Sequence, residues 1–119
     1  MSVMVTGGTG FIGARIVREL IQRGEDVVCF DLAPPKANLA PYLDKISVYR
    51  GDVTQIPHLL EAVNTYKVHK IIHMAALLPP DTEDRPHFGM LVNIQGTNNV
   101  FEVARWTDVE RVVYASSIA

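Results

Sequence analysis

Val3-Met4-Val5-Thr6-Gly7-Gly8-Thr9-Gly10-Phe11-Ile12-Gly13 joins a short apolar run to a glycine-rich turn and then to the start of an apolar-periodic segment. The succession reads as strand, tight turn and helix, the arrangement that grips a pyrophosphate. Glycine is demanded there for three reasons: the turn needs backbone angles a side chain forbids, the main chain must come close to the phosphates, and the helix must pack on the strand. The phosphates sit on the free amides and positive end of that helix. Gly8, Gly10 and Gly13 supply the Gly-x-Gly-x-x-Gly spacing, and a second apolar run, Val27-Val28-Cys29-Phe30, ends in Asp31. An acid at the tip of the second strand, roughly 20 residues on, is placed to hold a ribose 2′-hydroxyl.

The 119 residues, 48% hydrophobic and 20% charged with a formal net charge of -2, describe one folded domain. That balance argues against disorder, a membrane surface or a nucleic-acid partner. No apolar run approaches the roughly 18 residues of a membrane span, and the N-terminus reads as the first strand, not a cleavable leader, so a cytoplasmic location is expected. The single cysteine, Cys29, falls within a buried-looking strand and reads as a small core residue. His58, His69, His73 and His87 have no metal-ligand spacing, so no metal site is expected.

Along the chain, strand-like runs alternate with helical patterns, which predicts parallel strands and crossover helices. A helix from about Phe11 to Arg23 carries Ile12, Ile16 and Leu20 on one stripe with Val17 and Ile21 beside it, and Gly24 follows as a C-cap. The segment Ala33 to Asn38, with two prolines, is a loop. Ile46 to Arg50 is a third strand, Ile56 to Tyr66 a helix, Lys70 to His73 a fourth strand, and Asp81 to Arg85 a solvated loop. A long helix from about Pro86 to Arg105 repeats Met90, Ile94, Thr97, Phe101 and Ala104 at spacings of four and three, and Gly96 inside it marks close packing or close ligand approach. Arg111 to Ala115 is the fifth strand.

Taken together these residues resemble the N-terminal part of the extended short-chain dehydrogenases/reductases, the NAD-dependent sugar-nucleotide epimerases and dehydratases. The likeness covers the entire chain and rests on separated motifs. Thr6 to Gly13 is similar to the family's Thr-Gly-Gly-x-Gly-Phe-Ile-Gly, Gly51-Asp52-Val53 to its acid after the third strand, and His73-Met74-Ala75-Ala76 to its His-x-Ala-Ala. Val92 to Thr97 is similar to its Asn-containing helix motif, and Tyr114-Ala115-Ser116-Ser117 to its Ser-Ser after the fifth strand.

The resemblance implies an α/β fold: a three-layer Rossmann-type parallel sheet of five strands in the order 3-2-1-4-5 with helices on both faces. It implies NAD as cofactor, bound by Gly7, Gly10, Phe11 and Ile12 of the turn, Asp31, Asp52 and Val53, Ala75 and Ala76, and Asn93. In that reading Asp52 accepts from the adenine amine, the small Ala75 and Ala76 let the backbone approach the cofactor, and Asn93 holds main chain near the nicotinamide-side ribose. Asp31 favours NAD over NADP because a carboxylate repels a 2′-phosphate, although Lys36 lies close in sequence. His73 reads as a satisfied core or loop-anchoring residue, not a catalyst.

Family chemistry needs a serine, a tyrosine and a lysine, and register makes Ser117 the catalytic serine. The Tyr-x-x-x-Lys pair belongs on a later helix that these residues do not include. Tyr66 and Lys70 satisfy the spacing, but they end a helix and begin a strand at the amino edge of the sheet, so they are rejected. The chain is therefore expected to be a truncated NAD-binding domain, residues 1–119, of an oxidoreductase acting on a sugar nucleotide or similar hydroxylated substrate. The alternatives are a non-catalytic NAD-binding module completed by a partner, and a structural fragment with a vacant nucleotide loop. Pairing of copies through the long helix or the open fifth-strand edge is expected.

Overall fold

The computed structural model describes residues 2–115. Five strands, β1 (Ser2–Thr6), β2 (Val27–Asp31), β3 (Ile46–Arg50), β4 (Val68–His73) and β5 (Arg111–Tyr114), form one parallel sheet in the order β3-β2-β1-β4-β5. The order reverses between β1 and β4, which opens a crevice at the carboxyl ends of those two strands.

Alternation along the strands makes two cores. Val5, Val27 and Cys29 face α1 (Phe11–Gln22), where they meet Ala14 and Val17. Met4, Val28, Phe30 and Ile71 face α2 (Ile56–Tyr66) and α5 (Gly96–Trp106), where they meet Leu59, Ala62, Val63, Val100 and Val103. Helices therefore cover both faces, as a parallel sheet whose strands are apolar on both sides requires. Within α1 the buried line is Gly13, Ala14 and Val17, while Ile12 of the expected stripe points to solvent. Helix α1 ends at Gln22, and Gly24, at φ 80°, supplies the left-handed residue just beyond the cap.

Strand β4 begins two residues before the expected Lys70. Its pairing with β1 shifts register between Ser2 and Val3, so Ser2 pairs with Val68 and Val3 with Lys70, which leaves His69 as an extra residue. The bulge breaks the period of two and lets Val68 and Ile71 enter the same core. Tyr66 closes α2, Lys67 adopts φ 52° and Lys70 lies in β4, so the rejected Tyr-Lys pair does not share a helix.

Two short elements were not expected: a 3₁₀ segment at Ala40–Lys45, and a helical turn, α3 (Asp81–Asp84), where a loop was read. The long helix exists but is composite. It runs through α4 (Pro86–Met90), a π-helical segment (Leu91–Gln95) and α5, which extends one residue past Arg105. Its buried face is also different from the apolar stripe. Gly96, Asn99, Val100 and Val103 face inward, whereas Met90, Ile94 and Phe101 are exposed. Gly96 is a close-packing residue: a Cβ there would lie 2.7 Å from Val53 Cγ2.

Candidate functional site

The glycine turn is fixed by β1 and β2 together. Gly7 has φ 69°, and its N–H donates to the Phe30 carbonyl at 2.8 Å. Any Cβ on Gly7 would sit 2.8 Å from Ala75 N, so the turn and the loop after β4 lie against each other. Gly10 is the N-cap of α1, with no side chain capping that end and no acid in the first turn. The first-turn amides of Phe11, Ile12 and Gly13 are therefore left for an external acceptor, and the helix dipole favours an anionic one. A Cβ on Gly10 would meet only the Gly7 carbonyl oxygen, at 3.3 Å, and otherwise open space.

Asp31 closes the same turn from β2. Its Oδ2 accepts from Thr9 N at 3.0 Å and from Thr9 Oγ1 at 2.7 Å, and its Oδ1 accepts from Ala33 N at 3.1 Å. Arg50, in register with Asp31 on β3, donates through Nη2 to the Leu32 carbonyl at 2.9 Å. Sequence reasoning did not single out that cation; only strand register brings it near.

Asp52 accepts through Oδ1 from Thr54 N at 2.9 Å and Thr54 Oγ1 at 2.7 Å, and its N–H donates to His58 Nδ1 at 3.0 Å. The next residue, Val53, is buried, and its carbonyl accepts from Asn99 Nδ2 at 3.0 Å. Asn99, itself buried and bonded to Gln95 Nε2 at 2.9 Å, ties α5 to this loop. Its signal in the sequence is an amide three residues after Gly96 and four before Val103, on the inward face. Asn99→Leu strands the Val53 carbonyl and should cost about 1–3 kcal/mol, read as a lower urea midpoint at unchanged slope.

Asn93, in the π segment, brackets Leu77: its Nδ2 donates to the Leu77 carbonyl at 2.9 Å and its Oδ1 accepts from Leu77 N at 2.8 Å. It therefore holds main chain at the end of the loop carrying Ala75 and Ala76. The start of that loop is held by His73, buried between Thr6 Oγ1 at 2.6 Å from Nδ1 and Thr97 Oγ1 at 3.0 Å from Nε2. Burial lowers the imidazole pKa from its usual 6.5 to about 4. Cys29 is fully buried, and burial, aided by the Asp31 charge, pushes its thiol up to about 12, which suits a core residue. Ser117 lies outside the described residues, as does Ser116.

All these loops leave the carboxyl ends of the strands. A concavity of about 360 Å³ opens at the opposite, amino end of the sheet, bounded by Asp26, Asp44, Lys45, Tyr66 and Lys67. It has neither free helix amides nor a glycine turn, so the carboxyl-end surface is the candidate site. Among the described residues, no group of three or more His, Cys, Asp or Glu side chains gathers in a way that could hold a metal ion.

A strand-order reversal over a glycine turn, with an acid at the tip of β2, defines a Rossmann-type domain of the short-chain dehydrogenase/reductase kind. Residues 4–119 match the 3-beta hydroxysteroid dehydrogenase/isomerase family, and the chain belongs to it. It is 35% identical over 120 residues to the 3 beta-hydroxysteroid dehydrogenase/Delta 5→4-isomerase of Mycobacterium tuberculosis, covering 97% of this chain and 31% of that protein. It is 34% identical over 118 residues to a putative UDP-glucose 4-epimerase of Methanocaldococcus jannaschii, covering 97% and 37%. The fold superimposes with a TM-score of 0.87 on the UDP-glucose 4-epimerase of Thermus thermophilus, solved as a complex with NAD, at 32% identity over 98% of this chain and 38% of that one. The chain thus spans about a third of the length of these relatives. No helix among the described residues is long and apolar enough to cross a membrane.

Proposed function

We propose that these 119 residues are the NAD-binding domain of an NAD-dependent epimerase/dehydratase-like oxidoreductase acting on a sugar nucleotide or similar hydroxylated substrate. The observation that carries the reading is the uncapped amino end of α1, set between Asp31 on one side and the Ala75 loop on the other. A pyrophosphate fits those amides, and the open side of Gly10 gives it room. In this reading Gly7, Gly10, Phe11 and Ile12 take the phosphates, Asp31 exchanges its Thr9 contacts for the adenosine ribose, and Asp52 and Val53 meet the adenine. Ala75, Ala76 and Asn93 shape the nicotinamide side. NAD accepts or returns hydride when bound.

Ser117 is the substrate-orienting serine of the reading, and the domain binds cofactor without turning over by itself. The domain is cytoplasmic, where a buried thiol such as Cys29 stays reduced. The exposed Met90, Ile94 and Phe101 on the long helix, and Val113 and Tyr114 on β5, are the surfaces through which copies pair.

Calorimetric titration with NAD and NADP tests the cofactor assignment. NAD should bind saturably and more tightly than NADP, and Asp31→Ala should weaken NAD by at least about tenfold, the equivalent of roughly 1.4 kcal/mol. Arg50 beside Asp31 is the residue that would reverse the preference, so equal or tighter NADP binding would point to it. A folded chain that binds neither nucleotide sinks the assignment and leaves the glycine turn as architecture alone.

A further inference from the structure

Counting protons around His73 fixes the direction of every bond in its network. Thr97 Oγ1 donates its one proton to the Asn93 carbonyl at 2.7 Å, so at His73 it accepts, and His73 Nε2 carries a hydrogen. A neutral ring then has a bare Nδ1, which accepts from Thr6 Oγ1. The Thr6 oxygen in turn accepts from Met74 N at 3.0 Å and Ala75 N at 3.2 Å. No hydroxyl is asked for two protons. The chain of bonds runs from the Met74 and Ala75 amides through Thr6, His73 and Thr97 to the carbonyl of Asn93.

The two ends of the Met74–Leu77 loop are thereby fastened to one turn of the long helix, His73 by Thr97 and Leu77 by Asn93. We propose that Thr97 is a positioning residue for the dinucleotide, acting through His73 to hold the Ala75 loop against the glycine turn. The inference rests on the cofactor reading above, because positioning has meaning only if NAD lies on that loop. Thr97 is suited to the role by its place. It is half-buried on α5, one residue after Gly96, whose contact with Val53 brings the helix close enough for a hydroxyl to reach the ring.

Two measurements on the full 119-residue chain decide it: nitrogen-15 NMR of the His73 ring, which separates the two neutral tautomers, and NAD titration of wild type, Thr97→Val and Thr97→Ser. The wild-type ring should carry its hydrogen on Nε2 alone. Thr97→Ser should keep that signature and bind NAD within about twofold of wild type. Thr97→Val should keep the hydrogen on Nε2, because Thr6 still donates to Nδ1, but should shift the Nε2 resonance as that hydrogen loses its acceptor. It should also bind NAD about tenfold more weakly, which a purely packing role for Thr97 would not produce, since valine has nearly the same shape. If Thr97→Val does not fold, Thr97→Ala removes the same hydroxyl without the added branch. A ring protonated on Nδ1 in the wild type, or undiminished NAD binding without the hydroxyl, overturns the role. A wild-type chain that binds no NAD overturns the cofactor reading and the positioning role with it, whatever the tautomer.

Discussion

Gly13→Ala is expected to destroy the stable fold, while Gly10→Ala folds normally and loses the cofactor. The two glycines belong to one motif but answer to different constraints. A Cβ on Gly13 would be driven into the Gly7 carbonyl oxygen, and it would lie 2.8 Å from the Gly7 carbonyl carbon and 3.1 Å from Gly8 Cα. Those atoms are main chain in a turn already held by Gly7 N–H to Phe30 and by the backbone of Ala75, so no side-chain adjustment relieves the clash. The cost is on the order of 3 kcal/mol or more, a large part of the stability a small domain has. Gly10 sits at φ -72° and ψ 175°, angles any residue adopts, and its Cβ would have one neighbour at 3.3 Å. Its substitution should change stability by less than about 1 kcal/mol, yet the methyl occupies the side from which a phosphate reaches the α1 amides. Urea unfolding and NAD titration of both variants separate the effects. A well-folded Gly13→Ala, or a Gly10→Ala that binds NAD as wild type does, would contradict this division of labour.

The glycine turn is legible in the sequence because its requirement is local: three fixed spacings, a strand before and a helix after. Strand order follows from resemblance, and the sheet β3-β2-β1-β4-β5 is the one expected. The face of the long helix is not legible from hydrophobicity. Large side chains at Met90, Ile94 and Phe101 dominate the apolar stripe, while the inward line uses Gly96 and Asn99 between the valines, residues that no hydrophobic count selects. Their burial is decided by tertiary contacts, Gly96 on Val53 and Asn99 on the Val53 carbonyl. The apolar stripe has a partial use all the same, since Thr97 reaches His73 and the Phe101 ring meets Tyr114 edge-on. The start of β4 escapes the sequence for a related reason: the bulge at His69 breaks the alternation by which a strand is recognised. Spacing places Asp31, Asp52, Ala75 and Asn93 around one edge, but their partners Thr9, Thr54, Thr6 and Leu77 depend on side-chain reach, which spacing does not encode.

Stability should fall as pH drops from about 6.5 towards 4, and His73 should be a leading cause. Burial holds its folded-state pKa at about 4, below the ordinary 6.5. The folded chain therefore binds fewer protons at this residue than the unfolded chain, so the stabilisation is full above the unfolded value and is lost as pH falls towards the folded one. Between pH 7 and pH 5 the loss from this one ring is about 2 kcal/mol, converted at 1.36 kcal/mol per pKa unit and good to order of magnitude. The surroundings explain why the charged form finds no welcome. A second proton would go to Nδ1, which faces the Thr6 hydroxyl, and the Thr6 oxygen already accepts from two amides. The Thr97 hydroxyl stands at Nε2 and the Tyr114 ring is stacked 5.9 Å away between centroids, and none of the three groups carries a charge in this range to offset the imidazolium. Urea denaturation of wild type and His73→Gln at pH 7 and pH 5 isolates the contribution, because the carboxylates and the other histidines are common to both proteins. The wild type should lose about 2 kcal/mol more than the variant over that interval. Parallel losses in the two would show that burial does not hold the His73 ring neutral in the folded chain.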